Sequence, residues 1–174
     1  MYPHIVYVFT GDAEKRHFGE LVLSAASVRR CMEAKISIVT DDRSKSALNP
    51  LLESGIIDNV LISQQKFESP LLASRAIKTL VSHYFSEPFL YVDCDTLFTS
   101  RPNISSLGGG SIHAAVNHSM ADVRSQQTKL NLQMLQEMNW PSLSYAYMNS
   151  GVIYFSGDNI AHRFCATWHA LWKE

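Results

Sequence analysis

Asp93 and Asp95 are the residues whose types and spacing speak most directly of chemistry. They lie in FLYVDCDTLF (89–98), where Phe89 to Val92 form an apolar run and only Cys94 separates the two acids. In an extended chain, residues two apart share a face and lie ~6–7 Å apart. Two unpaired carboxylates at that distance repel, and one is driven toward protonation. A divalent cation between them removes the conflict, and hard oxygen donors suit Mg²⁺ or Mn²⁺. An extended chain also turns Cys94 the other way, which keeps its softer thiol off the metal. The plain alternative is a pair of solvated turn acids. The apolar residues on both sides, FLYV before and LF after, speak against it.

Other polar residues stand at comparable places. Thr10, Gly11 and Asp12 follow the apolar run HIVYVF, and Asp41 and Asp42 follow KISIVT. The bland reading of Gly11-Asp12 is an ordinary turn. Arg75 and Lys78 lie three apart, so one helix face carries both, either toward a ligand or toward solvent. Asn149, Ser150 and Gly151 interrupt the apolar stretch YAYMNSGVIYF. A glycine inside a strand marks a close backbone approach. Asn149 offers a sugar hydroxyl both a donor and an acceptor; without a ligand the same triplet reads as a β-bulge. None of the seven histidines has an obvious partner at metal-ligand spacing.

These residues need elements to position them. HIVYVFTGD (4–12) reads as a strand and loop. Residues 18–34 read as a helix, because Leu21, Ala25, Val28 and Met32 recur at spacings of three and four. KISIVTDD is a second strand, and IIDNVLISQ a third. Between them SKSALNPLLESG reads as a short helix capped by Ser44 and ended by Gly55. Residues 69–87 read as one long amphipathic helix with Pro70 in its first turn. FLYVDCDTLF is the fourth strand and GSIHAAVNH the fifth. Residues 124–138 read as a polar-faced helix, 145–157 as a further strand, and 158–174 as a helix capped by Asp158. This alternation predicts an α/β fold with a mostly parallel central sheet and helices on both faces. Ligands of such sheets sit beyond the carboxyl ends of the strands. Asp12, Asp41, Asp42, Asp93 and Asp95 all fall at such ends and are expected to gather around one crevice.

Composition bounds the rest. The chain has 174 residues, 46% hydrophobic and 18% charged, enough for one domain with a sizeable core. The net charge is −1, which excludes a global field for nucleic acid or an anionic membrane. Cys31, Cys94 and Cys165 stand far apart with no CxxC pair, the pattern of reduced thiols in a cytoplasmic protein. The first residues enter a strand without a signal-like region, and no apolar run nears the ~20 residues of a membrane span.

The motifs carry a resemblance. LYVDCDTLF resembles the DxD region of nucleotide-sugar glycosyltransferases of the Rossmann-like GT-A fold, and YMNSGVIYF resembles the FNSGV or FNAGV strand of their retaining, family-8-like branch. The order of the two motifs and the gap of about fifty residues agree. YVFTGD is similar to the first strand and loop that hold the base there, and SRAIKTL lies where that group carries a basic residue facing the diphosphate. The resemblance implies a single GT-A type domain over residues 1–174. It implies transfer of a sugar from a nucleotide-diphosphate sugar, a UDP-sugar, to a glycan, lipid or protein acceptor, with Mn²⁺ or Mg²⁺. It makes Asp95 a direct metal ligand; Asp93 binds the metal, the donor ribose, or both. The cation neutralises the leaving diphosphate. Arg75 or Lys78 contacts a phosphate or the donor sugar. Thr10 and Gly11 let backbone approach the base, and Asp12 accepts from the uracil N3–H, with Asp41 or Asp42 as substitutes. Cys94, Asn149, Ser150 and Gly151 complete the donor site, Asn149 beside the reacting sugar.

The chain also departs from that group. Family-8-like enzymes continue past the NSGV helix to an acidic, amide-bearing segment and to a histidine that completes the metal shell. This chain stops at ATWHALWKE, so the expectation is a donor-binding portion with a missing or reduced acceptor portion. Two rival functions follow. One is a module that binds a sugar nucleotide without turnover. The other is a phosphohydrolase of the haloacid dehalogenase type, because DCDTLF resembles D-x-D-G-T-L; it lacks the glycine before Thr96 and stands at the fourth strand instead of the first. A pyrophosphorylase would need a Gly-rich, Arg-containing loop that FTGDAEKRHF does not have.

Overall fold

A computed structural model describes residues 3–12, 14–107, 109–119 and 146–173; the helix expected over 124–138 lies outside these residues. The elements are β1 His4–Val8, α1 Arg16–Cys31, β2 Lys35–Thr40, α2 Asn49–Glu53, β3 Asn59–Ile62, α3 Pro70–Thr79, β4 Phe89–Val92, β5 Ile112–Ser119, β6 Ala146–Phe155 and a last helix, α4, Asn159–Lys173. The chain divides into two compact units, Met1–His113 with Gly151–Glu174, and Ala114–Ser150. Among the described residues no helix is long and apolar enough to cross a membrane.

Among the described residues six strands form one sheet in the order β3-β2-β1-β4-β6-β5. β1 runs parallel to β2 and to β4, β2 runs parallel to β3, and β4 meets β6 antiparallel. The fold is thus α/β with a mostly parallel sheet, as the alternation of elements predicts. Parallel strands are covered on both faces, which is why β1 is buried along its whole length. Side-chain alternation assigns the two faces. Ile5, Tyr7, Ile36, Ile38, Leu90 and Val92 pack with Leu21, Ala25 and Val28 of α1. Val6, Phe89, Tyr91 and Phe155 are also buried but turn the other way, toward the side where Lys78 of α3 lies over the Tyr91 ring.

Several elements differ from their expected form. The helix expected over 69–87 breaks at Leu80, whose φ of −106° and ψ of 8° leave the helical region, and Val81–Tyr84 continues as a 3-10 turn. Pro70 sits in its first turn as expected; the sequence reading names no cap, and Ser69 provides one, its Oγ accepting the Leu72 N–H at 3.3 Å. The helix expected from Ser44 splits into a 3-10 turn, Lys45–Leu48, and the short α2. Ser44 does not cap it, because its hydroxyl accepts the Gly11 N–H at 2.8 Å instead. β6 runs through Asn149-Ser150-Gly151 without the expected interruption. The ladder with β4 begins at Val152 opposite Val92, and the Asp93 N–H donates to the Gly151 carbonyl at 2.7 Å. Asp158 caps α4 as expected, accepting the Ala161 N–H at 2.9 Å and the Ser111 hydroxyl at 2.7 Å. The Ser111 bond, followed by the Ala161 bond, holds its carboxyl down at about 2.

Candidate active site

β4 ends at Val92, and the acids follow it in a tight turn. The Thr96 N–H donates to the Asp93 carbonyl at 3.1 Å, so Asp93-Cys94-Asp95 is not extended. This corrects the strand geometry from which the common face of the two acids was inferred. The turn is held from α1. Ser24 Oγ donates to the Thr96 carbonyl, Ser27 Oγ accepts the Phe98 N–H at 2.9 Å, and Cys31 Sγ donates to the Phe98 carbonyl at 3.2 Å. Because the Ser24 hydrogen points to Thr96, the Tyr7 hydroxyl is the donor in its 2.8 Å bond to Ser24. These clamp residues escaped the sequence reading. Their signal is small polar residues at spacings of three and four on the helix's core side.

Asp93 is not an unpaired acid, which is a second correction. Lys78 Nζ lies 2.8 and 3.1 Å from its two carboxylate oxygens, and the Tyr91 hydroxyl donates to Oδ1. The ammonium also sits 5.1 Å from the Tyr91 ring centroid, within range of a cation–π contact. Burial, with the Asp93 charge as a lesser cause, pushes the Tyr91 hydroxyl well above its ordinary range, so it remains a donor. Tyr91 lines the cleft and bonds Asp93, a contact that the reading of FLYV as an apolar run misses. Its place two residues before Asp93, on the same strand face, is the missed signal.

The acids open onto a cleft of about 680 Å³, the size of a small-molecule site. Thr10 and Gly11 line it from the end of β1; Arg75 and Lys78 line it from α3; Asp93, Cys94 and Asp95 line it from the β4 turn. Glu20 of α1 adds a further carboxylate, hydrogen-bonded by His17 at 2.9 Å and Arg16 at 2.6 Å, and these bonds hold it below the usual range. Asp95 and Arg75 are exposed. Among the described residues Arg75 has no carboxylate partner, so it is the cation of α3 that is open to an anion, whereas Lys78 is engaged by Asp93. The Cys94 thiol donates to the Val8 carbonyl at 3.4 Å, and burial, then the charges of Asp93 and Asp95, pushes it up to about 12. It stays a thiol at neutral pH.

The five strand-end acids do not all gather. Asp12 lines a neighbouring groove with Lys15, Arg43 and Ser46, and its carboxylate is 3.4 Å from Lys15. Asp41 is buried, accepting the Ser44 N–H at 3.1 Å and pairing with Arg43 at 3.1 Å, so it shapes the loop instead of facing a ligand. Asp42 is exposed. Asp41, Ser44 and Gly11 form a chain of hydrogen bonds that fixes the loop after β1. Gly11 has φ 149°, outside the range that L side chains adopt readily, so the loop requires glycine there. The Thr10 hydroxyl donates to the Pro70 carbonyl at 2.6 Å and ties this loop to the start of α3. Asn149 and Ser150 belong to the second unit and are exposed; Gly151 is buried in the first.

The position of the cleft in the sheet is decisive. β1 lies between β2 and β4, and the chain's progress across the sheet reverses there. In open α/β sheets this switch point is where ligands bind. No protein-family model and no curated protein matches the chain. Among solved structures it is similar to apo mouse xyloside xylosyltransferase 1, with TM-score 0.60 and 15% identity over 98% of this chain and 72% of that one. It is also similar to the galactosyltransferase LgtC, solved with donor and acceptor sugar analogues, with TM-score 0.59 and 15% identity. That match covers 98% of this chain and 65% of LgtC, so the chain spans just under two thirds of that enzyme's length. GlyE from Streptococcus pneumoniae TIGR4 in its apo form gives TM-score 0.57 at 15% identity, over 99% of this chain and 38% of that one. The fold is the GT-A fold of glycosyltransferases. Within the GT-A frame, the cleft between β1, α1, α3 and the β4 turn is the crevice at the switch point.

A metal can be tested against the donor set alone. Asp93 and Asp95 offer oxygen ligands, which fit a hard divalent cation. Among the described residues no third His, Cys, Asp or Glu joins them. Two carboxylates supply fewer than the ~6 oxygens such a cation takes, so a nucleotide or water must supply the rest.

Proposed function

We propose that this chain is the donor-binding part of a family-8-like glycosyltransferase that takes a UDP-sugar with Mn²⁺ or Mg²⁺ in the β1–β4 cleft and passes the sugar to a glycan, lipid or protein. The observation that carries the reading is the pairing of Asp93 and Asp95, on the turn after β4, with Arg75 and Lys78 of α3 around one cleft at the switch point of a GT-A sheet. When bound, the cation supplies charge stabilisation to the departing diphosphate. Asp95 ligates it directly, and Asp93 ligates it or holds the donor ribose. Arg75 takes a phosphate or a sugar hydroxyl. The loop of Thr10 and Gly11, which lines the cleft, receives the base, and Asp12 faces the neighbouring groove beside Lys15. Cys94 supports the floor as a neutral thiol. Gly151 supports the acids from the first unit, its carbonyl accepting the Asp93 N–H. The setting is cytoplasmic, with free cysteines.

A second reading, a sugar-nucleotide-binding module without turnover, is favoured by the short donor set of two acids among the described residues. The phosphohydrolase reading draws no such support, since its motif belongs on a first strand and the acids follow β4.

One experiment separates these. UDP with Mn²⁺ is expected to raise the melting temperature of the wild-type chain, and EDTA to cancel the rise. Ligand at 100 times its dissociation constant adds about 2.7 kcal/mol. Asp95→Asn should remove the Mn²⁺-dependent part, because a neutral amide is a poor ligand for a hard cation. Identical curves with buffer, UDP and UDP–Mn²⁺ reject the site. UDP release from UDP-sugars then identifies a transferase, and binding without release identifies the module.

A further inference from the structure

We propose that Lys78 is a built-in counter-ion of Asp93 that makes divalent-cation binding depend on a nucleoside diphosphate. The inference rests on reading Asp93 and Asp95 as metal ligands. Its starting point is the lone-pair count at Asp93. A carboxylate oxygen accepts two hydrogen bonds. Oδ1 receives Lys78 at 2.8 Å and the Tyr91 hydroxyl, so it is saturated. Oδ2 receives Lys78 at 3.1 Å and keeps one site. A cation arriving alone therefore meets an acid with a single open lone pair and an ammonium at hydrogen-bond distance from both oxygens. The net charge of Asp93, Asp95 and Lys78 is −1, where the acids without Lys78 would present −2. Both the free sites and the field are cut by the same side chain.

Lys78 has somewhere else to go when a diphosphate is present. It lines the cleft one turn after Arg75. Its side chain is only 19% exposed, but the ammonium terminates a flexible stem with three rotatable donors. A phosphate oxygen offers it an anion in the same cleft, and its departure returns lone pairs of both Asp93 oxygens to the metal. Tyr91 is fixed in the core and does not move with it. Lys78 thus acts as a positioning residue that couples two ligands. A merely structural Lys78–Asp93 pair would stabilise the fold without setting the sign of metal affinity.

The test is Mn²⁺ titration of the whole chain, read from the spin-resonance signal of the free ion, with and without UDP. Lys78→Met keeps an unbranched stem over Tyr91 and removes the charge. It should tighten Mn²⁺ binding without UDP ~10-fold, about 1.4 kcal/mol, and weaken UDP binding with Mn²⁺ by a similar factor. Lys78→Arg should go the other way for Mn²⁺ alone, because the guanidinium fork holds a carboxylate bidentately and yields it less readily. Buffer melting curves show whether each variant folds, and the Arg variant carries the sign if the Met variant does not. Mn²⁺ affinity without UDP that is unchanged or lower in Lys78→Met, or unchanged in Lys78→Arg, overturns the proposal. Wild-type protein that takes up no Mn²⁺ even with UDP removes the metal site itself, and this inference with it.

Discussion

Asp93 and His4 illustrate two ways in which single residues of this fold meet burial. Asp93 is paired with Lys78 at 2.8 and 3.1 Å, whereas His4 is buried as a neutral ring. Its Nε2 lies 2.9 Å from Ser37 Oγ and its ring packs edge-on against Phe85 at 4.9 Å. Burial, reinforced by the Lys35 charge, lowers it to about 4 from 6.5. Between those values the unfolded chain holds a proton that the folded His4 does not. Stability therefore rises with pH across this window and is lost as pH falls from 6.5 toward 4, by up to about 3 kcal/mol. Urea midpoints of wild type and His4→Gln, measured from pH 7 to pH 4.5, should converge as pH falls. Parallel curves would show that His4 does not carry the dependence.

At the scale of elements, α1 does more than cover the sheet. Its apolar residues Leu21, Ala25 and Val28 dock it, and its small polar residues Ser24, Ser27 and Cys31 hold the segment that follows the acids. The helix thereby shapes a turn about seventy residues away in sequence. Ser24→Ala should leave the Tyr7 hydroxyl and the Thr96 carbonyl without this partner inside the protein. The expected loss is about 1–3 kcal/mol in chemical denaturation. The same variant should weaken UDP–Mn²⁺ binding, because the turn bearing Asp95 loses its tether. Lost stability with unchanged nucleotide affinity would mean that the acids keep their positions without the clamp.

At the scale of the first unit, the approach of distant segments decides what each position tolerates. Gly157, between β6 and α4, has φ 76°, and a Cβ there would lie 2.8 Å from the Ser86 backbone, just ahead of β4. Backbone cannot swing aside as a side chain tip can. Gly157→Ala should therefore cost more than the ~1–2 kcal/mol of a left-handed conformation alone. A thermal melt within error of wild type would refute the close approach. The same tertiary logic brings the ends of β1 and β4 together at the switch point, so that loops from residues 9–11 and 93–95 share one cleft with α3.

The sequence by itself determined the class of fold and the residues with chemical promise. Strand and helix periodicities are local, so the α/β alternation, Pro70 at the start of α3, and Asp158 at the start of α4 were legible from neighbours a few residues apart. So were the acids after FLYV and the basic pair of the third helix. Side-chain partnership is not local. Ser44 accepts from Gly11, thirty-three residues away, instead of capping its helix, and Asp93 is held by Lys78, fifteen residues away; even Asp41 with Arg43 and Tyr91 with Asp93, two apart in sequence, meet only because packing turns their side chains together. Only the tertiary structure decided these, because a hydrogen-bonding group takes the partner that packing places within about 3 Å of it, whatever the partner's position in the chain.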